Sequence, residues 1–468
     1  MAPTRTPARR KRCSGRGMDD NRSMMTETRS VPLSLRANFS WAFAGNVVYG
    51  GFQWAVLVVI AKLGNPEMVG QFALALAVTS PVILFANLQL GAILATDARS
   101  EFQFRDYLTL RLIATGLALL VVAGIAILAG YRRETIWVIL MVGTAKGFEA
   151  VSDVLYGFFQ KYERMDRVGK SMIMKGPLSL IGVALGLYIT GSILWGAVGL
   201  AISWAFILLS YDVHNAKLIL RAFPQQASGT SGIAHEAKRR SPIETLSTLA
   251  QLAWLALPLG FARLLASLNA SIPRFFIERH LGEWELGIFA AMAYLMVVGN
   301  RLMHSLGQSV SPRLSRYYTE GNWVALRTLT LKLMGIGTGL GAVSILAASI
   351  AGKEILTLLY RPEYAGHITV FVWLMVAASI DYLNTFLWYT LTAVRRLKAQ
   401  ALLLLATVVS MTALCALLTP LGGFVGAAIS IVIAASVQFV GSVMVAWRTL
   451  FFLSLARPQG GAGLETPL

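Results

Sequence analysis

The chain has 468 residues, of which 56% are hydrophobic and 14% charged, with a mean hydropathy of +0.62. A soluble domain carries roughly 25% charged residues, and here the apolar residues come in blocks of the ~20 residues that cross a bilayer. That excludes a soluble enzyme, a disulfide-built secreted domain, a disordered chain and a β-barrel, whose strands would alternate in segments of about ten residues. Lys and Arg total 41 against 23 Asp and Glu, a net charge of +18. In a soluble chain this excess suggests nucleic acid, but in a membrane chain it follows from the cytoplasmic loops being rich in Lys and Arg, so no nucleic-acid partner is implied.

Residues 1–38 form a basic tail running from Arg5 to Arg36. It lacks the apolar core and cleavage site of a secretory signal, although composition leaves a transit peptide open. Met18, Met24 and Met25 follow the basic run, so the expectation is a start placed too far upstream and a disordered tail. Twelve apolar blocks come next, at about 39–63, 68–95, 107–130, 134–159, 168–190, 192–216, 246–273, 284–311, 327–351, 366–394, 398–419 and 422–447. Arg221 to Arg240 is polar, contains Gly and Ser, and ends in Lys-Arg-Arg. It divides the spans six and six. The organisation expected is an N-terminal six-helix lobe over 39–216, a linker over 217–245, a C-terminal lobe over 246–447 and a tail over 448–468. Ser241, Pro242 and Glu244 have the spacing of a capping box at a helix start.

With the N-terminus in the cytoplasm, the basic residues concentrate on that side, which puts both termini and the linker there too. Lys146, Arg263 and Arg301 remain inside spans. The basic loop Lys161, Arg164, Arg167 and Lys170 reads as a topology determinant, with attraction to lipid headgroups second. Cys13 and Cys415 have neither metal-ligand nor disulfide spacing.

The two halves repeat weakly. Leu63-Gly64 with Glu67, Gly70, Phe72 and Ala73 recurs as Leu281-Gly282 with Glu285, Gly287, Phe289 and Ala290. Asp153, Leu155 and Phe158 recur as Asp381, Leu383 and Phe386, and Gly196, Gly199, Ile202 and Ser203 as Gly423, Gly426, Ile429 and Ser430. Six spans return the chain to its starting side, so the halves run parallel. Such a repeat places a pseudo-two-fold axis along the membrane normal and a cavity between the lobes. The fold class expected is an all-α polytopic membrane protein of about twelve transmembrane helices in two pseudo-symmetric six-helix lobes.

Leu63-Gly64 through Phe72, followed by Asn87-Leu88-Gln89-Leu90-Gly91, resembles the first hairpin of Wzx-type polysaccharide biosynthesis transporters. Leu257-Pro258 through Asn269, Ile272 and Arg274 resembles the start of their second lobe, and the Gly196/Gly199 and Gly423/Gly426 pairs their lobe-closing hairpins. The likeness covers about 39–447. Its superfamily also holds lipid II flippases and multidrug antiporters. The resemblance implies alternating access, a lipid-linked oligosaccharide as cargo and the inner membrane of a bacterium as the location. The uses implied are O-antigen, capsule or exopolysaccharide synthesis, with a polymerase or co-polymerase as a candidate partner beside the membrane lipids.

Ionisable groups inside a bilayer are costly, so each is a functional candidate. Lys146, Glu149 and Asp153 share one face of span four. Glu149 can pair with Lys146, which leaves Asp153 partly unpaired. The group either lines the cavity or holds the bundle together. Span eight carries Arg301, His304, Ser305 and Gln308 on one stripe, which cannot face lipid. Arg263 lies in span seven. Arg grips phosphate through its planar fork, so Arg263 and Arg301, with Lys146 contributing, are candidates for a diphosphate site. The alternative is that each arginine neutralises Asp381 or another buried acid. Asp381 itself reads either as an ion-coupling carboxylate or as a bond to a neighbouring helix. Asn46, Tyr49, Gly50 and Gln53 share a face of span one and suit sugar hydroxyls or helix–helix contacts equally. The glycines of 335–341 sit inside span nine as two GxxxG pairs, which points to close helix packing and not to a phosphate loop.

Two competing functions remain. A membrane glycosyltransferase or polymerase needs catalytic groups gathered in an extramembrane loop, and the external loops at 274–283 and 352–365 are short and lack paired carboxylates. A drug or cation antiporter would have a more acidic lumen. Neither a metal nor another cofactor is expected, and no nucleotide-binding motif is present.

Overall fold

The computed structural model describes residues 33–97, 99–222 and 242–455. The stretches 1–32, 223–241 and 456–468, including Cys13 and the expected Ser241 cap, lie outside them. The chain runs back and forth through a helical bundle. The N-terminal lobe comprises α1 (Leu35–Leu63), α2 (Pro66–Ala86), the short α3 (Leu90–Thr96), α4 (Phe104–Leu128), α5 (Arg133–Lys161), α6 (Met165–Thr190), α7 (Ile193–Ile207) and α8 (Val213–Ala222). The C-terminal lobe comprises α9 (Pro242–Leu281), α10 (Glu283–Thr319), α11 (Trp323–Leu359), α12 (Ile368–Ala393) and α13 (Leu397–Leu455). Local chemistry sets the boundaries. Ser34 caps α1 by accepting from the Ala37 amide at 3.3 Å. Asn65 caps α2 by accepting from the Met68 amide at 2.9 Å, with Pro66 in the first helical position.

Among the described residues, ten helices are long and apolar enough to cross a membrane. α5 is a further crossing that its charged side chains hide from hydropathy. α13 is 59 residues long, far beyond one bilayer, and counts as two. It breaks at Gly423, whose φ of +54° a residue with a side chain rarely adopts, three residues after Pro420. The total is the twelve crossings expected. Two spans are less regular than expected. The second is interrupted at Asn87–Gln89, and the sixth passes through a π-helical turn at Leu208–Asp212 between α7 and α8.

The repeat in sequence is a repeat in space. Gly70 on α2 and Gly287 on α10, related by the repeat, meet at the crossing of the two lobes. A side chain on Gly70 would run into the Glu283 carbonyl, and one on Gly287 into the Pro66 carbonyl. This crossing lies at the end of the bundle far from the described chain ends, and polar bonds tie the lobes together around it. Glu283, only 10% exposed, accepts from Gln71 at 3.1 Å and from the Thr135 hydroxyl, with Arg132 at 3.7 Å. Arg132 also pairs with Glu67. On the other flank Lys62 donates to the Thr357 carbonyl at 3.3 Å, and Arg361 to the Lys62 carbonyl at 2.8 Å. A continuous apolar core runs beneath, from Val56, Leu57 and Phe72 in one lobe to Leu286, Phe289 and Met292 in the other. The lobes are therefore sealed at the far end. Towards the near end α1 and α10 expose polar side chains, Asn46 on one and Arg301, His304 and Gln308 on the other.

Candidate functional site

The α10 stripe forms as the spacing requires. Arg301, His304, Ser305 and Gln308 are all exposed on it. The Arg301 guanidinium reaches across the lobes and lies against Gly50 of α1, where a side chain would collide with its Nη1. The His304 ring stands edge-on to Tyr389 with centroids 6.1 Å apart, and Tyr389 donates to the His304 carbonyl at 3.3 Å. Arg263 on α9 is also exposed and crosses to the other lobe, where it meets the Gln89 carboxamide; with that amide assigned so that its oxygen faces the guanidinium, the oxygen accepts from Nη2 at 3.2 Å and from Nε. Among the described residues neither arginine forms an ion pair with Asp381 or any other carboxylate. The polar neighbours of Asp381 are Asn300 and Asn384.

Lys146 donates to Glu149 at 2.8 Å, as the i,i+3 spacing anticipates, and stands 5.1 Å from the Trp204 ring centroid. Tyr49 donates to the other Glu149 oxygen at 2.6 Å. Lys146 is thus held by its own lobe, whereas the two arginines lie between the lobes. Asn46 is exposed and donates to the Ala42 carbonyl at 2.8 Å, while Gln53 Nε2 is buried without a partner.

One expectation fails. Asp153 is not left unpaired, because Arg111 donates to it at 2.9 Å and, through its other terminal nitrogen, to Asn87 Oδ1. The Arg111 side chain is 0% exposed and that of Asp153 is 51% exposed, so the carboxylate stands at the surface with its cation behind it. Arg111 is the eighth residue of α4, inside the third span but close to a loop rich in charge, and the sequence offers nothing that separates it from that loop's cations. Lys175 was concealed in the same way by the basic run before α6. It lies 3.8 Å from Asp212 on the π-helical turn, with both side chains at most 2% exposed. Ser152 donates to Asp212 at 2.8 Å, and Lys175 donates to Ser152 and Tyr156, each at 3.0 Å. This network joins α5, α6 and the π-helical turn. Removing one member of a buried pair leaves an uncompensated charge and costs about 3–5 kcal/mol. Lys175→Met should therefore lower abundance and melting temperature, and Lys175→Met with Asp212→Leu should restore much of both, as heated fluorescence-detected size exclusion would measure.

Leu88 and Gln89 have φ of +48° and +52°, a left-handed conformation that costs a non-glycine residue about 1–3 kcal/mol. Three features hold the break in place: the bond from Arg111 to Asn87, the packing of Gly91 on the Asp153 backbone, and the approach of Gly260 on α9 to the Phe85 carbonyl. A separate cavity of about 1030 Å³ lies at the far end, lined by Tyr131, Arg132, Glu278, Arg279, His280 and Trp284 among others. There burial and Glu278 push the Tyr131 phenol up to about 12, so it stays a neutral donor. The described residues contain no cluster of metal-ligating side chains.

The family described as polysaccharide biosynthesis protein matches residues 35–318. A capsular polysaccharide biosynthesis protein, CapF of Staphylococcus aureus, is 27% identical over 406 residues, which cover 87% of this chain and 97% of CapF. Solved structures of similar fold include the lipid II flippase MurJ in an inward closed conformation, with a TM-score of 0.68 at 12% identity over 89% of this chain and 90% of that one. An inward-facing multidrug resistance transporter of the MATE family gives a TM-score of 0.67 at 16% identity, over 89% of this chain and 100% of that one.

Proposed function

The chain belongs to the polysaccharide biosynthesis protein family, and from that premise we propose that it is a flippase, not an enzyme, moving an isoprenoid-diphosphate-linked oligosaccharide across the cytoplasmic membrane of a bacterium. The observation that carries this reading is the pair of exposed arginines, Arg263 and Arg301, that reach between the lobes and, among the described residues, form no ion pair with a carboxylate. A guanidinium at membrane depth is costly and is kept where it meets a charged partner. Its fork suits a diphosphate, bidentate and charge-assisted. Polar groups such as His304, Gln308 and Asn46 line the same region and suit saccharide hydroxyls. Alternating access is the motion that suits the two-lobed repeat: the lobes rock against each other, and the Gly70–Gly287 crossing parts as the far end opens and the near end closes. Glu149, Asp153 and Asp381 are the carboxylates available for coupling to an ion gradient. With the near end cytoplasmic, both termini and the linker lie on that side, and the cargo is delivered outside to a polymerase or ligase for surface polysaccharide.

A multidrug or cation antiporter shares this architecture and is the second reading. The two unpaired arginines argue against it, since a site for cationic drugs would present carboxylates. The test is the cargo itself. In spheroplasts depleted of the protein, lipid-linked saccharide should accumulate and resist oxidation by membrane-impermeant periodate. A pool that becomes oxidisable at the normal rate without the protein overturns the flippase reading.

A further inference from the structure

The interruption of the second span brings together features that the arginine pair alone does not explain. Two successive non-glycine residues, Leu88 and Gln89, hold the left-handed conformation in the last third of the second span, and the buried Arg111 fixes the preceding Asn87. α9 of the opposite lobe comes close enough to touch because position 260 is glycine, packed on the Phe85 carbonyl and Leu88. One helical turn further along α9, Arg263 meets the Gln89 side chain. Backbone irregularity at membrane depth persists where it serves a cavity or a site, and this one turns a single carboxamide towards a single guanidinium across the lobes.

We propose that Gln89 is the positioning residue of the anion site. Its oxygen engages Nε and Nη2 of Arg263, which fixes the plane of the guanidinium and leaves the Nη1–Nη2 edge free. That edge carries two parallel N–H bonds and is the one able to take two oxygens of a phosphate at once. A neutral acceptor suits the task, because it orients the arginine and leaves its charge for the ligand. A carboxylate at position 89 would orient it and cancel the charge. The contact spans the lobes, so the arginine is held in its binding orientation in the state sealed at the far end. This inference rests on the reading that Arg263 binds a diphosphate.

The experiment measures binding of farnesyl diphosphate to the purified full-length protein in detergent by calorimetry, with melting temperature recorded for every variant. Gln89→Gly removes the side chain and suits a positive φ, so the backbone break survives. Arg263→Ala should weaken binding by about tenfold or more. Gln89→Gly should weaken it by roughly three- to tenfold in the native background and leave it unchanged in the Arg263→Ala background, the signature of two residues acting through one contact. Gln89→Glu should weaken it at least as much as Arg263→Ala. Native affinity in Arg263→Ala overturns the anion-site reading. Weakened binding there, together with native affinity in Gln89→Gly and Gln89→Glu, overturns the role of Gln89 alone. So does a Gln89→Gly loss that persists in full without Arg263.

Discussion

An alanine at Gly287 is expected to wedge the far ends of the lobes apart and stop the transporter from sealing there. The two repeat-related helices cross backbone to backbone at this point, and the added methyl group would fall on the Pro66 carbonyl, with the Gly70 amide close by. A backbone carbonyl in a helix cannot swing aside as a side-chain tip can, so the lobes must separate. Overpacking of a tight contact costs about 1–3 kcal/mol, which shifts a two-state equilibrium by roughly 5- to 150-fold. Transport should fall accordingly, because a cycle needs both states. Gly70→Ala should act in the same way by meeting the Glu283 carbonyl. Spin labels on cysteines at Glu134 and Glu363, exposed on the far rims of the two lobes, should report a longer distance in either variant. An unchanged distance together with unchanged transport would place the seal elsewhere.

These glycines were visible in the sequence as repeat partners, yet nothing there said that they touch. Spacing along a chain reports which face a residue occupies, and contact across a pseudo-symmetry axis depends on how two lobes dock. The same limit explains the candidate site. The α10 stripe was legible because a run of polar residues at steps of three and four inside an apolar span has one sensible orientation. Arg111 and Lys175 were not, because a cation a few residues inside a helix end looks like the loop beside it. Their burial depends on carboxylates that come from α5 and from the π-helical turn. α5 was recognised as a span in spite of its charges, and those charges prove to be largely neutralised within the lobe: Lys146 by Glu149, and Asp153 by Arg111. The break at Leu88–Gln89 carries no sequence signal at all. Neither residue favours a positive φ, so tertiary contacts impose the conformation.

Arg301→Ala is expected to abolish export while abundance and melting temperature change little. The side chain is exposed, has no carboxylate partner among the described residues, and rests on Gly50 of the opposite lobe, so the fold loses little when it is removed. The cargo, however, loses a charge-assisted bidentate grip. Truncating one side of such a charged contact costs about 2–5 kcal/mol, a loss of roughly thirtyfold or more. Arg301→Lys should rescue only in part, since Lys keeps the charge and lacks the fork. Gly50→Ala offers an independent check from the other lobe. The three atoms nearest to its methyl group all belong to the flexible Arg301 side chain, so export should drop while the protein stays abundant. A structural counter-ion predicts otherwise: Arg301→Ala would lower abundance by stranding a buried acid, at about 3–5 kcal/mol, and adding Asp381→Asn would restore both abundance and export. Asp381 instead has Asn300 and Asn384 as its polar neighbours, so the double variant should remain as inactive as Arg301→Ala alone. Recovery of export in that double variant would show that the arginine serves the fold and not the cargo.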